Sequence, residues 1–214
     1  MKQSIGRLLL RALRYRDAGG PAPEHPAYVL VAAPHTSWLD LPLMLGFAWA
    51  HDVEPAFLAK KELFVGPFAG ALRRVGGIEV DRENPGTLVD DLVARARSGA
   101  SCALVIAPEA TRDKASGWKS GFYRIAEEAG IPIVLGFLDG PTRTGGFGPV
   151  LVPSGDIGAD MAVVREFYAD KRGVVPDRTS PVRLRGEAVS DPVIVEQGAS
   201  DEQDADEPPP SDAG

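Results

Sequence analysis

The feature that most constrains this chain is a series of short apolar runs, 28–33, 102–107 and 133–138, in which nearly every position is apolar. Strands buried on both faces read this way, and such strands belong to parallel sheets covered by helices. Helical stretches separate the runs: 37–50, 62–75 with a break at Gly66-Pro67, 85–98 with Pro85 at its first turn, 119–129 and 159–172. Shorter strands are expected at 56–60, 78–80 and 150–153. Strands alternating with helices predict a single-domain α/β fold: a largely parallel sheet, helices on both faces, and chemistry at the carboxyl ends of the strands.

The chain has 214 residues, enough for one domain with a sizeable core. The reading divides it into a basic amphipathic helix over 1–16, a Gly/Pro-rich linker over 17–26, a body over 27–186, and an acidic, Pro-rich tail over 187–214 expected to be disordered. The net charge of −7 comes largely from that tail: 200–212 holds six Asp or Glu and no Lys or Arg. The body is near neutral, which gives no support for nucleic-acid binding. Cys102 is the sole cysteine, so no intrachain disulfide can form. Its apolar neighbours make it a core thiol rather than a nucleophile.

No stretch approaches the ~20 apolar residues of a spanning helix. The N-terminus carries Lys and Arg throughout and lacks a small-residue cleavage site, which does not suit a signal peptide. Ile5, Leu8, Leu9, Ala12 and Leu13 recur at helical spacing beside Lys2, Arg7, Arg11 and Arg14. This stripe suits an anionic membrane surface. It equally suits docking on the domain with the arginines solvated.

The candidate chemistry begins where the first apolar run stops, at Pro34-His35-Thr36-Ser37. The following helix is expected to take Thr36 or Ser37 as its N-cap. On one continuous helix His35 and Asp40 would lie ~140° apart. With His35 in the turn they can meet, giving an imidazole with one nitrogen held by a carboxylate and the other able to accept a proton. Ser37 reads as a cap rather than a nucleophile. Lys60-Lys61 follows a second strand and Arg82 a third, placing cations at the same sheet edge. Glu109-Ala110-Thr111-Arg112 follows a fourth, offering a carboxylate acceptor and a guanidinium, or a Glu109–Arg112 pair that locks the turn. Trp118-Lys119 would add an aromatic and a cation to that rim. One histidine with scattered carboxylates is no metal-ligand set.

His35-x4-Asp40, Gly77-Ile78-x-Val80-Asp81-Arg82, Pro108-Glu109-x-Thr111-Arg112 and Gly130-Ile131-Pro132-Ile133-Val134 together resemble the four ordered blocks of the glycerolipid acyltransferases, 1-acylglycerol-3-phosphate acyltransferases among them. The resemblance spans residues 28–140. It implies an O-acyltransferase of phospholipid biosynthesis, with His35 as general base and Asp40 as its orienter. Arg82 would bind phosphate, and Glu109, Thr111 and Arg112 would form an acceptor site beside Lys60, Lys61 and Lys119. The donor would be acyl-CoA or acyl carrier protein, with no further cofactor. The acceptor would be a lipid hydroxyl, and the location the inner face of the cell membrane, bound peripherally from the cytoplasm. The alternatives are a lipid-binding protein without turnover and an acyl-thioester hydrolase. Ala110 stands where the family usually has Gly. If that position needs positive φ, Ala there costs roughly 1–2 kcal/mol.

Overall fold

The computed structural model describes residues 1–66, 68–80, 90, 93, 94, 97, 98 and 102–186. Arg82 and the acidic tail lie outside these residues, as does most of the helix expected over 85–98. Among the described residues the strands are β1 (Arg16–Asp17), β2 (Ala27–Ala33), β3 (Pro55–Lys60), β4 (Gly77–Val80), β5 (Cys102–Ile106), β6 (Ile133–Asp139) and β7 (Thr144–Leu151). They form one sheet in the order β1-β7-β6-β2-β5-β3-β4. β4, β3, β5, β2 and β6 run parallel, while β7 is antiparallel to β6 and β1 runs alongside β7. The sheet is thus mixed, with a parallel centre.

β2 lies in the middle because both its faces are apolar. Its odd-numbered residues Ala27, Val29, Val31 and Ala33 join one core cluster with Phe122, Ile125, Met161 and Val164. Those four come from α4 (Gly121–Ala129) and α5 (Ile157–Tyr168). Its even-numbered Tyr28 and Leu30 join the opposite cluster with Leu45 and Phe57. Leu45 belongs to α2 (Asp40–Ala50), a helix apolar nearly all round, with Leu43 and Phe47 also buried. Helices therefore cover both faces, as the period of two along a strand requires. Within the helical stretch expected over 62–75, the described residues form a 3-10 turn at Lys61–Leu63 and α3 (Phe68–Arg74).

α1 (Lys2–Ala12) packs across α2 through Gly6 and Leu10, both buried. A Cβ on Gly6 would lie 2.6 Å from the Ala50 nitrogen and 2.7 Å from the Gly46 carbonyl oxygen. Only a hydrogen fits at that crossing. Ile5 and Leu8 are 47% and 67% exposed, so much of the apolar stripe faces away from the domain.

Four expectations need correction. The segment 17–26 is no free linker at its start, because Asp17 pairs with Gly145 in β1 and Gly20 bridges to Phe147. The strand expected at 150–153 starts at Thr144; its glycines hide it from propensity, yet Gly145 lies where a Cβ would come within 2.7 Å of the Phe47 ring. The last helix starts at Ile157, capped by the Asp156 carboxylate, which accepts from the Gly158 and Ala159 amides. It ends at Tyr168, because the Arg172 amide turns away to donate to Asp139. The helices expected from 37 and 119 begin at Asp40 and Gly121, and neither Thr36 nor Ser37 caps the first.

Candidate active site

β2 delivers the chain to the centre of the sheet's carboxyl edge, where Pro34 follows a cis peptide bond and His35 turns into a short loop. The loop is shaped from within α2. Oδ2 of Asp40 accepts the backbone N–H groups of Thr36 at 2.7 Å and Ser37 at 2.8 Å. The carboxylate thus ties down the loop ahead of α2, and no side chain caps the helix itself. The Ser37 hydroxyl accepts the Leu39 N–H instead. Folded back this way, the loop sets Nδ1 of His35 3.0 Å from the same Oδ2.

An oxygen that accepts two amide protons has nothing to donate, so the imidazole supplies the proton from Nδ1. Nε2 is left as the basic nitrogen, on a side chain 25% exposed. Oδ1 of Asp40 is buried and has no hydrogen-bond partner.

A second carboxyl holds the loop from below. Glu109 follows β5 and is 1% exposed. Its Oε1 accepts the His35 backbone N–H at 3.0 Å, while its Oε2 is buried without a partner. Burial pushes the Glu109 carboxyl up to about 7, against the opposing pull of its own and His35's backbone amides. The side chain therefore points inward to the His35 loop, neither toward an acceptor at the rim nor toward Arg112. The next residue, Ala110, has φ of +58°, so the position does require the left-handed conformation that glycine adopts without cost.

Arg112 reaches across the mouth. Its guanidinium carbon lies 3.3 Å from the centroid of the Trp38 ring, joining the loop after β5 to the turn after β2. Its fork of donors remains available to an anion at that mouth. Thr111 closes a local turn by accepting the Asp113 amide. Lys60 ends β3, and Lys61 follows it, exposed, at the same edge. Lys119 is exposed just before α4, whereas Trp118 is 1% exposed and packs edge-on against Phe122 and Tyr168. It is a core residue, not part of the rim. Cys102 is buried in the core as expected. Among the described residues no group of three or more His, Cys, Asp or Glu could hold a metal.

Behind the dyad lies an apolar cavity of about 150 Å³ between the sheet and α2. Leu30, Phe57, Val105 and Phe147 line it from the sheet, and Met44 and Phe47 from the helix; His35 and Asp40 belong to the same lining. A proton acceptor thus opens onto a hydrocarbon-lined slot. Nothing in the sequence announced two supports of this site. The Thr36 hydroxyl, 1% exposed, accepts the Val175 amide at 3.0 Å, tying the segment after α5 to the catalytic-type loop. Arg185 donates to the carbonyls of Glu109 and Gly117. Gly- and Pro-rich sequence carries no periodicity from which such a strap could be read.

The sequence model of the Acyltransferase family matches residues 21–134. The 1-acyl-sn-glycerol-3-phosphate acyltransferase of Neisseria meningitidis serogroup B is 39% identical over 82 residues, covering 37% of this chain and 30% of that protein. The enzyme of the same name from Neisseria gonorrhoeae is 39% identical over 83 residues, 38% of this chain and 31% of that protein. The match therefore spans less than a third of the length of these curated relatives. The crystal structure of the 1-acyl-sn-glycerophosphate acyltransferase PlsC from Thermotoga maritima superposes with a TM-score of 0.58 over 79% of this chain and 77% of that one. At 18% identity that likeness speaks for the fold. Among the described residues no helix is long and apolar enough to cross a membrane.

Proposed function

Since the chain belongs to the acyltransferase family, we propose that it moves a fatty acyl group from a thioester, acyl-CoA or acyl carrier protein, to the hydroxyl of a lysophospholipid, most simply 1-acylglycerol-3-phosphate. The observation that carries this reading is the His35 imidazole, held at Nδ1 by Asp40 and opening at Nε2 beside an apolar slot. Nε2 takes the proton of the acceptor hydroxyl as its oxygen attacks the thioester carbonyl carbon. The tetrahedral intermediate collapses, the carbon–sulfur bond breaks, and the thiolate leaves with the imidazolium proton. Asp40 keeps the ring in the right tautomer throughout and stabilises its charged form.

The acceptor attacks directly, without an acyl-enzyme, because the nearby hydroxyl of Ser37 is engaged by Leu39 and Cys102 is buried. The apolar slot would take hydrocarbon from one substrate, and Arg112 with Lys61 would meet anionic groups at the mouth. Arg82 is assigned the acceptor phosphate on the strength of the sequence blocks alone. The protein would work as a peripheral enzyme on the inner face of the cell membrane, with the exposed apolar face of α1 toward the lipid.

The test is to incubate pure protein with acyl-CoA, with and without a panel of lysolipids, and to identify the products by mass spectrometry. A diacyl product that requires the acceptor supports the proposal. Free fatty acid formed at the same rate with or without acceptor identifies a thioesterase, and no product at all identifies a binding protein.

A further inference from the structure

A second depression lies away from the slot, where the end of α1 meets the end of α2. Its volume is about 590 Å³, and Arg7, Arg11, Arg14 and Arg16 line it beside Tyr15 and His51. Four cations converging on one depression repel one another unless something anionic offsets them. None of the four has an acidic partner among the described residues. Asp17, the acid lining the same depression, is already taken: it contacts His51 and accepts the Gly19 amide. Arg14 holds φ of +59°, a conformation that costs free energy for any side chain bearing Cβ. The turn after α1 is thus kept in a strained shape at the wall of the cleft, which Arg14 lines.

The geometry of α1 selects the anion. Gly6 and Leu10 dock on α2, while Ile5 and Leu8 lie exposed on nearly the opposite side. At ~100° per residue, Arg7 and Arg11 fall on the flank between these faces. If the exposed apolar face enters hydrocarbon, that flank sits at the depth of the lipid phosphates. A guanidinium fork matches a phosphate better than a point charge does. We propose that this arginine cleft is a seat for the phosphate of an anionic phospholipid, separate from the acyl-transfer site. The inference rests on the proposed membrane-surface function and adds to it a defined headgroup site.

The test measures binding of the full chain to vesicles of phosphatidylcholine alone and of phosphatidylcholine with a minority of phosphatidylglycerol. Arg7→Gln/Arg11→Gln keeps good helix formers on an exposed flank. Arg73→Gln/Arg124→Gln removes the same charge from α3 and α4. The cleft variant should bind the anionic vesicles roughly thirtyfold more weakly than wild type, ~1 kcal/mol per arginine near the surface. The control pair should stay close to wild type. Arg14→Gln, outside the helix, should also weaken binding, which guards against a loss caused by a frayed α1.

Equal losses in the cleft and control pairs would reduce the effect to net charge and overturn the proposal. Displacement by inorganic phosphate at constant ionic strength would make the cleft a site for soluble anions. Intact vesicle binding with lost binding of an acidic acyl carrier protein would assign it to the donor. Acyl transfer by wild type is assayed separately. A protein that binds lipid through these arginines yet transfers nothing would refute the acyltransferase reading and leave the cleft standing.

Discussion

At the scale of single residues, one loop and its supports carry the proposed chemistry, and four side chains can be told apart by what each change removes. His35→Ala removes the base from a half-buried position at the rim, so the fold should persist while transfer falls ~10²–10⁴-fold. Asp40→Asn should lower turnover less and shift its pH profile, because the amide favours the wrong proton arrangement on the imidazole. An Asn variant with wild-type turnover and profile would separate the two residues functionally. Ala110 is exposed at φ +58°, so Ala110→Gly relieves a left-handed conformation and loses no packing. Glycine's extra freedom in the unfolded chain takes back part of that gain. The net should be a rise in urea midpoint equivalent to about 0.5–1 kcal/mol at unchanged slope. Glu109 makes a prediction about pH. Its folded-state value of about 7 lies above the ordinary 4.5, so between those values the folded protein holds a proton that the unfolded chain has lost. Its contribution to stability is complete below 4.5 and disappears as pH rises through 7, amounting to a few kcal/mol at most. Glu109→Gln keeps an oxygen for the His35 amide and removes the titration. Stability measured at pH 5 and pH 8 should therefore fall less in the variant than in wild type; equal falls would mean that the carboxyl does not titrate in this window.

At the scale of elements, what could be read in the sequence and what could not divide along physical lines. The apolar runs of β2, β5 and β6 were legible because a strand buried on both faces leaves no polar position to confuse the pattern. The His35–Asp40 pair was legible because a turn between strand and helix is the one geometry that lets those positions touch. β7 was not, since Gly145, Gly146 and Gly148 belong to it for reasons of clearance that propensity does not record. The inward turn of Glu109 was not, because a charged residue in a loop reads as exposed until a buried amide is known to need it. α1 shows the limit most clearly. Periodicity picked out Ile5, Leu8, Leu9, Ala12 and Leu13 as its apolar stripe, and of these Leu13 packs against the core cluster around Leu10. Yet the helix meets α2 closely through Gly6 and Leu10, since close helix contact is governed by the absence of a side chain as much as by apolar surface. The two faces can be separated by mutation. Gly6→Ala puts a methyl into the Gly46–Ala50 backbone and should lower stability by about 1–3 kcal/mol in thermal unfolding. Leu8→Gln, at 67% exposure, should stay within about 0.5 kcal/mol of wild type. The reverse ranking would mean that the helix sits on the domain by its other face.

At the scale of the whole molecule, the parallel centre of the sheet sends β2, β3, β4 and β5 to one edge. The loops at that edge share a second property besides their polar groups. Trp38, Leu39, Leu63 and Val65 are 69%, 46%, 45% and 68% exposed there, although each is large and apolar. Scattered apolar residues on a surface need no explanation, but four on the loops flanking one mouth make a rim suited to contact with apolar material. On the proposed function that material is the lipid layer holding the acceptor, and the rim shortens the path of a lysophospholipid from bilayer to His35. The consequence is a dependence on how the acceptor is presented. Leu63→Gln/Val65→Gln touches neither the dyad nor the slot, so transfer to a short-chain acceptor dissolved as monomers should be unchanged. Transfer to a long-chain acceptor embedded in vesicles should show a raised apparent KM, with kcat at saturating lipid retained, because the variant impairs approach to the interface rather than the chemical step. Equal losses on both acceptors would mean that the two side chains support the site itself. No loss on either would mean that the mouth does not meet the membrane, and α1 would then have to bring the protein to lipid without this edge touching it.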